Sequence, residues 1–233
     1  MKVLLFLLIA VACLSCADQK NNVKKHQSSP VREVIEWLDV WMPNTNDSLL
    51  PRVLFIGNSI TRLYYPEVNE SLKGMAYGAR LSTSKSIGDP ALLDEVALIL
   101  QQEHFDVVHF NNGMHGEGYT EEQYQAAFPE LVKTIRKYAP QAKLIWASTT
   151  PVRCGGDMAD FHPKTERIRE RNRIAAECVA GQDIQINDLF GLVENHPEYY
   201  AGGDGTHPVD CGVSALAEQV SLVVKEVLNS LNK

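Results

Sequence analysis

An excess of positive charge, a bilayer-length apolar run and cysteines in metal-ligand spacing are all missing from this sequence. Its 22 Lys and Arg are outnumbered by 29 Asp and Glu, for a net charge of −7, and they are scattered rather than gathered into the basic stripe that a phosphate backbone requires. That argues against a nucleic-acid partner. The longest apolar run, Val3 to Ala12, is too short to cross a bilayer, which takes roughly 20 residues. Of the 5 cysteines, only Cys154, Cys178 and Cys211 lie in the body of the chain. Their spacing matches no zinc site, and any single disulfide among them leaves one thiol over. Neither a metal nor a cofactor is implied. No tract is dominated by one residue type, and 233 residues that are 45% hydrophobic suit one domain with a sizeable core rather than two.

The short apolar run has the length of a signal-peptide core, with Lys2 before it and Cys13-Leu14-Ser15-Cys16 after it. A small residue directly before a cysteine resembles a bacterial lipobox, which would make Cys16 the lipidated first residue of the mature chain. Cys13 stands where lipoboxes usually carry Leu. The alternatives are lipid on Cys13, after Ala10-Val11-Ala12, or an ordinary secretory signal with incidental cysteines. Residues 17–30 are polar and nearly free of large apolar side chains, so they read as a flexible tether. The expected organisation is therefore a signal segment over 1–16, a tether over 17–30 and a folded domain over 31–233. The expected location is the bacterial cell envelope, with membrane contact only through the lipid, or outside the cell.

From residue 31 onward, strand and helix patterns alternate. Val53-Leu54-Phe55-Ile56, Val107-Val108-His109-Phe110 and Leu144-Ile145-Trp146-Ala147 are short continuous apolar runs, as strands buried on both faces would be. Residues 74–81 and 184–186 are weaker strand candidates. Helical spacing occupies 90–103, 121–138, 165–180 and 209–231, and Asp89-Pro90 and Thr120-Glu121 are suitable helix starts. Alternation of this kind predicts an α/β fold: a three-layer α/β/α sandwich around a central parallel sheet of about five strands. In such sheets, sites form at the carboxyl ends of the strands.

The first of those ends reads Gly57-Asn58-Ser59-Ile60-Thr61. Ser59 thus falls on a strand-to-helix turn, where its hydroxyl is exposed and its own N–H lies near a helix N-terminus suited to a developing oxyanion. By itself such a serine is more often a helix cap. Far along the chain, Gly203-Asp204-Gly205-Thr206-His207-Pro208 is a tight loop running into the last helix. It can fold the Asp204 carboxylate back onto the imidazole of His207, fixing the tautomer needed to take a proton from Ser59. The two motifs together supply a nucleophile, a base and an acid.

Both motifs resemble those of the SGNH (GDSL-type) hydrolase superfamily. Residues 53–61 look like its first block and Asp204-Gly205-Thr206-His207-Pro208 like its last, in family order. Phe105-Asp106-Val107-Val108, Ala147-Ser148-Thr149-Thr150-Pro151-Val152 and Arg171-Asn172 extend the likeness from about Arg52 to the C-terminus. The resemblance implies the flavodoxin-like fold of that superfamily, with Ser59, Asp204 and His207 as catalytic residues. It also implies an oxyanion hole made by Ser59 N–H, a donor from the second block and an Asn side chain from the third. Three departures stand out. Asn58 replaces the usual first-block Asp. Gly113-Met114-His115-Gly116 puts His115 where the third-block Asn belongs, with Asn111 or Asn112 as rivals. The second block has no glycine at an obvious match, leaving Ser86, or alternatively Ser82, Ser84 or Gly88, to supply the backbone N–H.

Arg80 and Lys85, beside that loop, could bind an acidic substrate or be solvated charges. The superfamily includes esterases acting on carbohydrate acetyl esters, on lipids and on thioesters. For an exported chain without a long apolar lid, removal of acetyl groups from carbohydrate is the first expectation, so the expected partner is an acylated carbohydrate or other small ester. A lysophospholipase or short-chain acyl esterase is the second. A non-catalytic glycan-binding module is the third, with Trp37, Trp41 or Tyr64-Tyr65 stacking on sugars; the spacing of Trp37 and Trp41 fits one face of a helix.

Overall fold

The computed structural model describes residues 29–231; the signal segment, Cys16 and most of the expected tether lie outside them. In chain order the strands are β1 (Leu38–Trp41), β2 (Arg52–Gly57), β3 (Tyr77–Thr83), β4 (Val107–Phe110), β5 (Lys143–Ala147), β6 (Arg153–Cys154), β7 (Asp160–Phe161) and β8 (Ile184–Asn187). The helices are α1 (Ser59–Ser71), α2 (Pro90–Gln102), α3 (Glu121–Tyr138), α4 (Lys164–Val179), α5 (Leu189–Val193) and α6 (Asp210–Leu231).

Six strands form the main sheet, in the order β1-β3-β2-β4-β5-β8, and β6 and β7 make a small separate ribbon. Five of the six are mutually parallel, as the sequence suggested. The sixth, β1, was not foreseen: it runs antiparallel along the edge of β3, pairing Leu38 with Thr83 and Trp41 with Arg80. Trp41 and its neighbours are therefore strand, not the helix face that the tryptophan spacing allowed. Four residues with alternating side chains pair more readily with an open sheet edge than they sustain a helix, whose nucleus is costly.

Alternate residues of β2 face opposite layers. Val53 and Phe55 enter a core with Tyr64 and Val68 of α1 and Leu216, Val220 and Val224 of α6. Leu54 and Ile56 enter the other, with Leu92 and Val96 of α2, Phe128 and Leu131 of α3 and Val179 of α4. All six residues of β2 are buried, which is why that segment reads as an unbroken apolar run. The helix starts follow local chemistry. Asp89 accepts from Ala91 N–H ahead of Pro90, and Thr120 and Gln123 form a reciprocal capping box.

The chain leaves β2 for β3 on one side and returns to β4 on the other. The strand order reverses beside β2, so the crevice of this sheet opens at its carboxyl end, where Ser59 begins α1.

Candidate active site

Ser59 is presented by a turn that leaves no room for a side chain at Gly57. A Cβ on Gly57 would lie 2.0 Å from Thr61 Oγ1. Asn58, in extended conformation, caps α1 by accepting from Ile60 N–H at 2.9 Å. Asn58 therefore supports the loop, and its replacement of an acid leaves the serine in place. Ser59 N–H belongs to the first turn, where backbone donors lack intrahelical acceptors.

Opposite stands the loop before α6. Gly205 adopts φ +77, and a Cβ there would lie 2.1 Å from the Arg153 carbonyl; its own carbonyl accepts from Arg153 N–H at 2.8 Å. The turn brings the Asp204 carboxylate round so that Oδ1 accepts from the N–H groups of Thr206 at 2.9 Å and His207 at 2.8 Å. Oδ2 meets His207 Nδ1 at 2.7 Å. Partial burial alone would raise the pKa of Asp204, but these hydrogen bonds outweigh it and draw the group down to about 2. A carboxylate so firmly ionised keeps the imidazole proton on Nδ1. The bare Nε2 then accepts from the hydroxyl of Ser59, at 2.8 Å and across 148 residues of sequence.

The loops after β3 and β4 flank this pair. Between Ser84 and Asp89 most peptide N–H groups are spent: Ser84 on the Trp37 carbonyl, Asp89 on the Ser86 carbonyl, Lys85 on Thr83 Oγ1, Ile87 on Asn112 Oδ1 and Gly88 on Ser86 Oγ. The N–H of Ser86 has no acceptor among the described residues. Both asparagines considered for the oxyanion hole are occupied. Asn111 Nδ2 donates to the Ala147 carbonyl at 2.7 Å and to Thr149 Oγ1 at 3.0 Å. Asn112 clamps the two loops together by donating to the Lys85 carbonyl at 3.0 Å while accepting from Ile87.

His115 Nδ1 lies 3.1 Å from Glu33 Oε1, and its Nε2 is buried without a protein partner. Burial holds its pKa below the ordinary imidazole range despite the Glu33 charge, so the ring is neutral at neutral pH, with its proton on the nitrogen facing the carboxylate. Nε2 is then a lone pair. The donor role expected of His115 calls for a proton on the other nitrogen.

No family model matches the sequence, and neither does any curated protein. Solved structures do. A carbohydrate esterase family 3 protein from Talaromyces cellulolyticus superposes with a TM-score of 0.61 at 16% identity, over 77% of this chain and 99% of that one. The acetyl xylan esterase AlAXEase gives 0.58 at 20% identity, over 74% and 99%, and a GDSL-like lipase from Bacteroides thetaiotaomicron gives 0.54 at 16%, over 75% and 88%.

The chain shares the α/β fold of these structures.

Within this fold, several side chains singled out from sequence do other work. Arg80 pairs with Asp39 at 2.8 Å and lies over the ring of Tyr65, and Lys85 sits between Glu95 at 2.9 Å and Glu36 at 3.6 Å. Both cations are already neutralised by carboxylates and have little charge to offer an acidic substrate. Tyr64 and Tyr65 are 1% and 4% exposed, which removes them as sugar platforms. Trp37 is partly covered by Arg62, and Trp41 is exposed at the sheet edge. Cys154, Cys178 and Cys211 are all free thiols.

Arg171 and Asn172 are struts for the loops after β4 and β5. The buried guanidinium of Arg171 donates to the carbonyls of Gly113, His115 and Gly116 at 3.1, 2.7 and 2.9 Å. Asn172 pairs with both sides of Thr149, accepting from its N–H at 2.8 Å and donating to its carbonyl at 2.9 Å. Sequence reasoning missed Glu33 altogether. It lies 82 residues from His115, in a segment with no local pattern that would mark it.

Proposed function

We propose that this chain is a serine esterase that removes short acyl groups, acetyl above all, from carbohydrate. The observation that carries the reading is the continuous hydrogen-bonded line from Ser59 Oγ through His207 to Asp204. In the first half-reaction His207 Nε2 takes the hydroxyl proton as Ser59 Oγ bonds to the ester carbonyl carbon. Asp204 stabilises the imidazolium so formed. The tetrahedral oxyanion is held by the N–H of Ser59, at the start of α1, and by the unengaged N–H of Ser86. His207 then passes its proton to the departing alkoxide, leaving acyl-Ser59 and a free sugar hydroxyl. In the second half a water gives its proton to the same nitrogen and attacks the acyl carbon, and Ser59 recovers its proton as the carboxylic acid leaves.

Two considerations favour a short acyl group on a sugar. The side chains of His207 and Asp204 are 40% and 58% exposed, so the acid–base pair faces open solvent and can meet an ester displayed on a bulky polar chain. Chains of similar fold include a carbohydrate esterase and an acetyl xylan esterase. Export by the N-terminal segment, with a lipid on Cys16, would put the enzyme where glycans are met.

The test is acetate release from a panel of acetylated glycans by residues 29–233, with Ser59→Ala alongside and a fluorophosphonate to label the nucleophile. Wild-type release, covalent labelling at Ser59 and a folded but inert variant are expected. Turnover by Ser59→Ala comparable to wild type would refute the assignment.

A further inference from the structure

The segment from Val31 to Trp37 lies across both loops of the site. Val31 N–H donates to the Tyr119 hydroxyl at 2.9 Å and Arg32 pairs with Asp89 at 2.7 Å. Glu36 accepts from the Ser84 hydroxyl at 3.0 Å. Between these ties Glu33 Oε1 takes both the Nδ1 proton of His115 at 3.1 Å and the N–H of Gly116 at 3.3 Å. His115 itself lies on the loop that follows β4, at the same carboxyl edge of the sheet as Ser59. β3 and β4 flank β2, and Asn112 bonds the loops that follow them across the end of the strand leading to Ser59. Gly116, the neighbour of His115, is packed so closely on Ser86 that a Cβ would lie 2.1 Å from its hydroxyl. The Nε2 of His115 is left as an acceptor with no donor, screened from water in a side chain that is one-fifth exposed. An unmet polar atom of this kind is costly to keep without a use.

We propose that His115 Nε2 recognises a free hydroxyl adjacent to the ester, accepting its hydrogen, and that Glu33 is the positioning residue that makes this nitrogen an acceptor. The inference rests on the Ser59 reading above and narrows its substrate class to esters carried on a vicinal diol, as in a partly acylated sugar. The charges facing the ring are Glu33 and Glu36 from the crossing segment and Lys164 from the start of α4. They surround the pair without offering Nε2 a donor.

The experiment compares 2-hydroxycyclohexyl acetate with cyclohexyl acetate, which lacks the hydroxyl, on wild type, His115→Ala and Glu33→Leu. Wild type is expected to favour the hydroxy ester in kcat/KM by about 10–100-fold, the usual worth of satisfying a buried acceptor. His115→Ala loses that factor on the hydroxy ester alone. Glu33→Leu does the same in part, because the ring proton then has no acceptor to hold it on Nδ1. An equal loss on both esters, or a ratio that does not move in either variant, overturns the proposal. Labelling of Ser59 by a fluorophosphonate separates the two readings. A wild-type protein that resists the probe sinks the Ser59 assignment, whereas a labelled protein with an unchanged ratio sinks only the role of His115.

Discussion

Replacing Asp204 with asparagine separates catalysis from stability more cleanly than any other change in the loop before α6. The amide keeps an oxygen for the N–H groups of Thr206 and His207, which Oδ1 now accepts at 2.9 and 2.8 Å, so the turn survives. Its NH₂, however, takes the place of Oδ2, 2.7 Å from His207 Nδ1, and a donor there drives the ring proton to Nε2. The nitrogen facing Ser59 then carries a hydrogen and cannot accept another. Loss of the correct tautomer at a serine–histidine pair is worth ~10³–10⁴ in kcat, or about 4–5.5 kcal/mol of barrier. The stability effect is far smaller. A carboxylate whose pKa is drawn below the usual range stabilises the fold at pH values above its unfolded pKa, and that contribution fades as pH falls through about 2. With 58% of its side chain exposed, solvent screening limits the contribution to ~1 kcal/mol or less. The assay is hydrolysis of p-nitrophenyl acetate at pH 7 beside a thermal melt. Asp204→Asn retaining more than a tenth of wild-type kcat, or losing activity only in step with its Tm, would refute the argument.

Three further changes probe the supports of the site. Gly205→Ala forces a Cβ against the Arg153 carbonyl at a φ of +77, so hydrolysis should fall at least tenfold while far-UV circular dichroism stays native. Arg171→Lys exchanges a fork that reaches three loop carbonyls for one ammonium; a loss of about 2–3 kcal/mol in urea unfolding is expected, and a shift under 0.5 kcal/mol would show that the fork is dispensable. His109 is wholly buried, accepts from Asn187 Nδ2 at 3.2 Å and has its pKa pushed down by burial to about 3. The unfolded chain therefore binds a proton that the folded one refuses, and stability declines as pH falls from about 6.5 toward 3. His109→Gln keeps an acceptor but cannot titrate, so its unfolding free energy should vary less with pH across that window; an unchanged slope would assign the acid sensitivity to other groups.

How much of this was legible beforehand depends on how far each residue's partners lie along the chain. The runs that became β2, β4 and β5 are apolar at every position because both faces of a central strand are covered, and that pattern needs no knowledge of the partner. The caps of α2 and α3 are equally local, each closed within three residues. β1 and the segment before it escape because their bonds reach from 39 residues ahead, at Trp41 and Arg80, to 88, and nothing in a stretch of mixed polarity records such distant partners. The same limit explains Arg80 and Lys85: the sequence displays their charge but not the carboxylates that neutralise it.

The candidate site divides along the same line. Asp204 and His207 are three residues apart, and a carboxylate that folds back on the following N–H groups orients the imidazole by local geometry alone, so the acid–base pair could be read directly. Oxyanion donors are different in kind. A peptide N–H carries no mark in the sequence, and in the loop after β3 every residue owns one. What distinguishes Ser86 is that its neighbours' N–H groups are consumed by Trp37, Thr83, Asn112 and the hydroxyl and carbonyl of Ser86 itself. A donor of this sort is defined by subtraction, after all tertiary hydrogen bonds have been made. His115 shows the converse: the sequence placed the residue, but the distant Glu33 decides which of its nitrogens holds the proton, and so whether the site gives a hydrogen bond at that point or receives one.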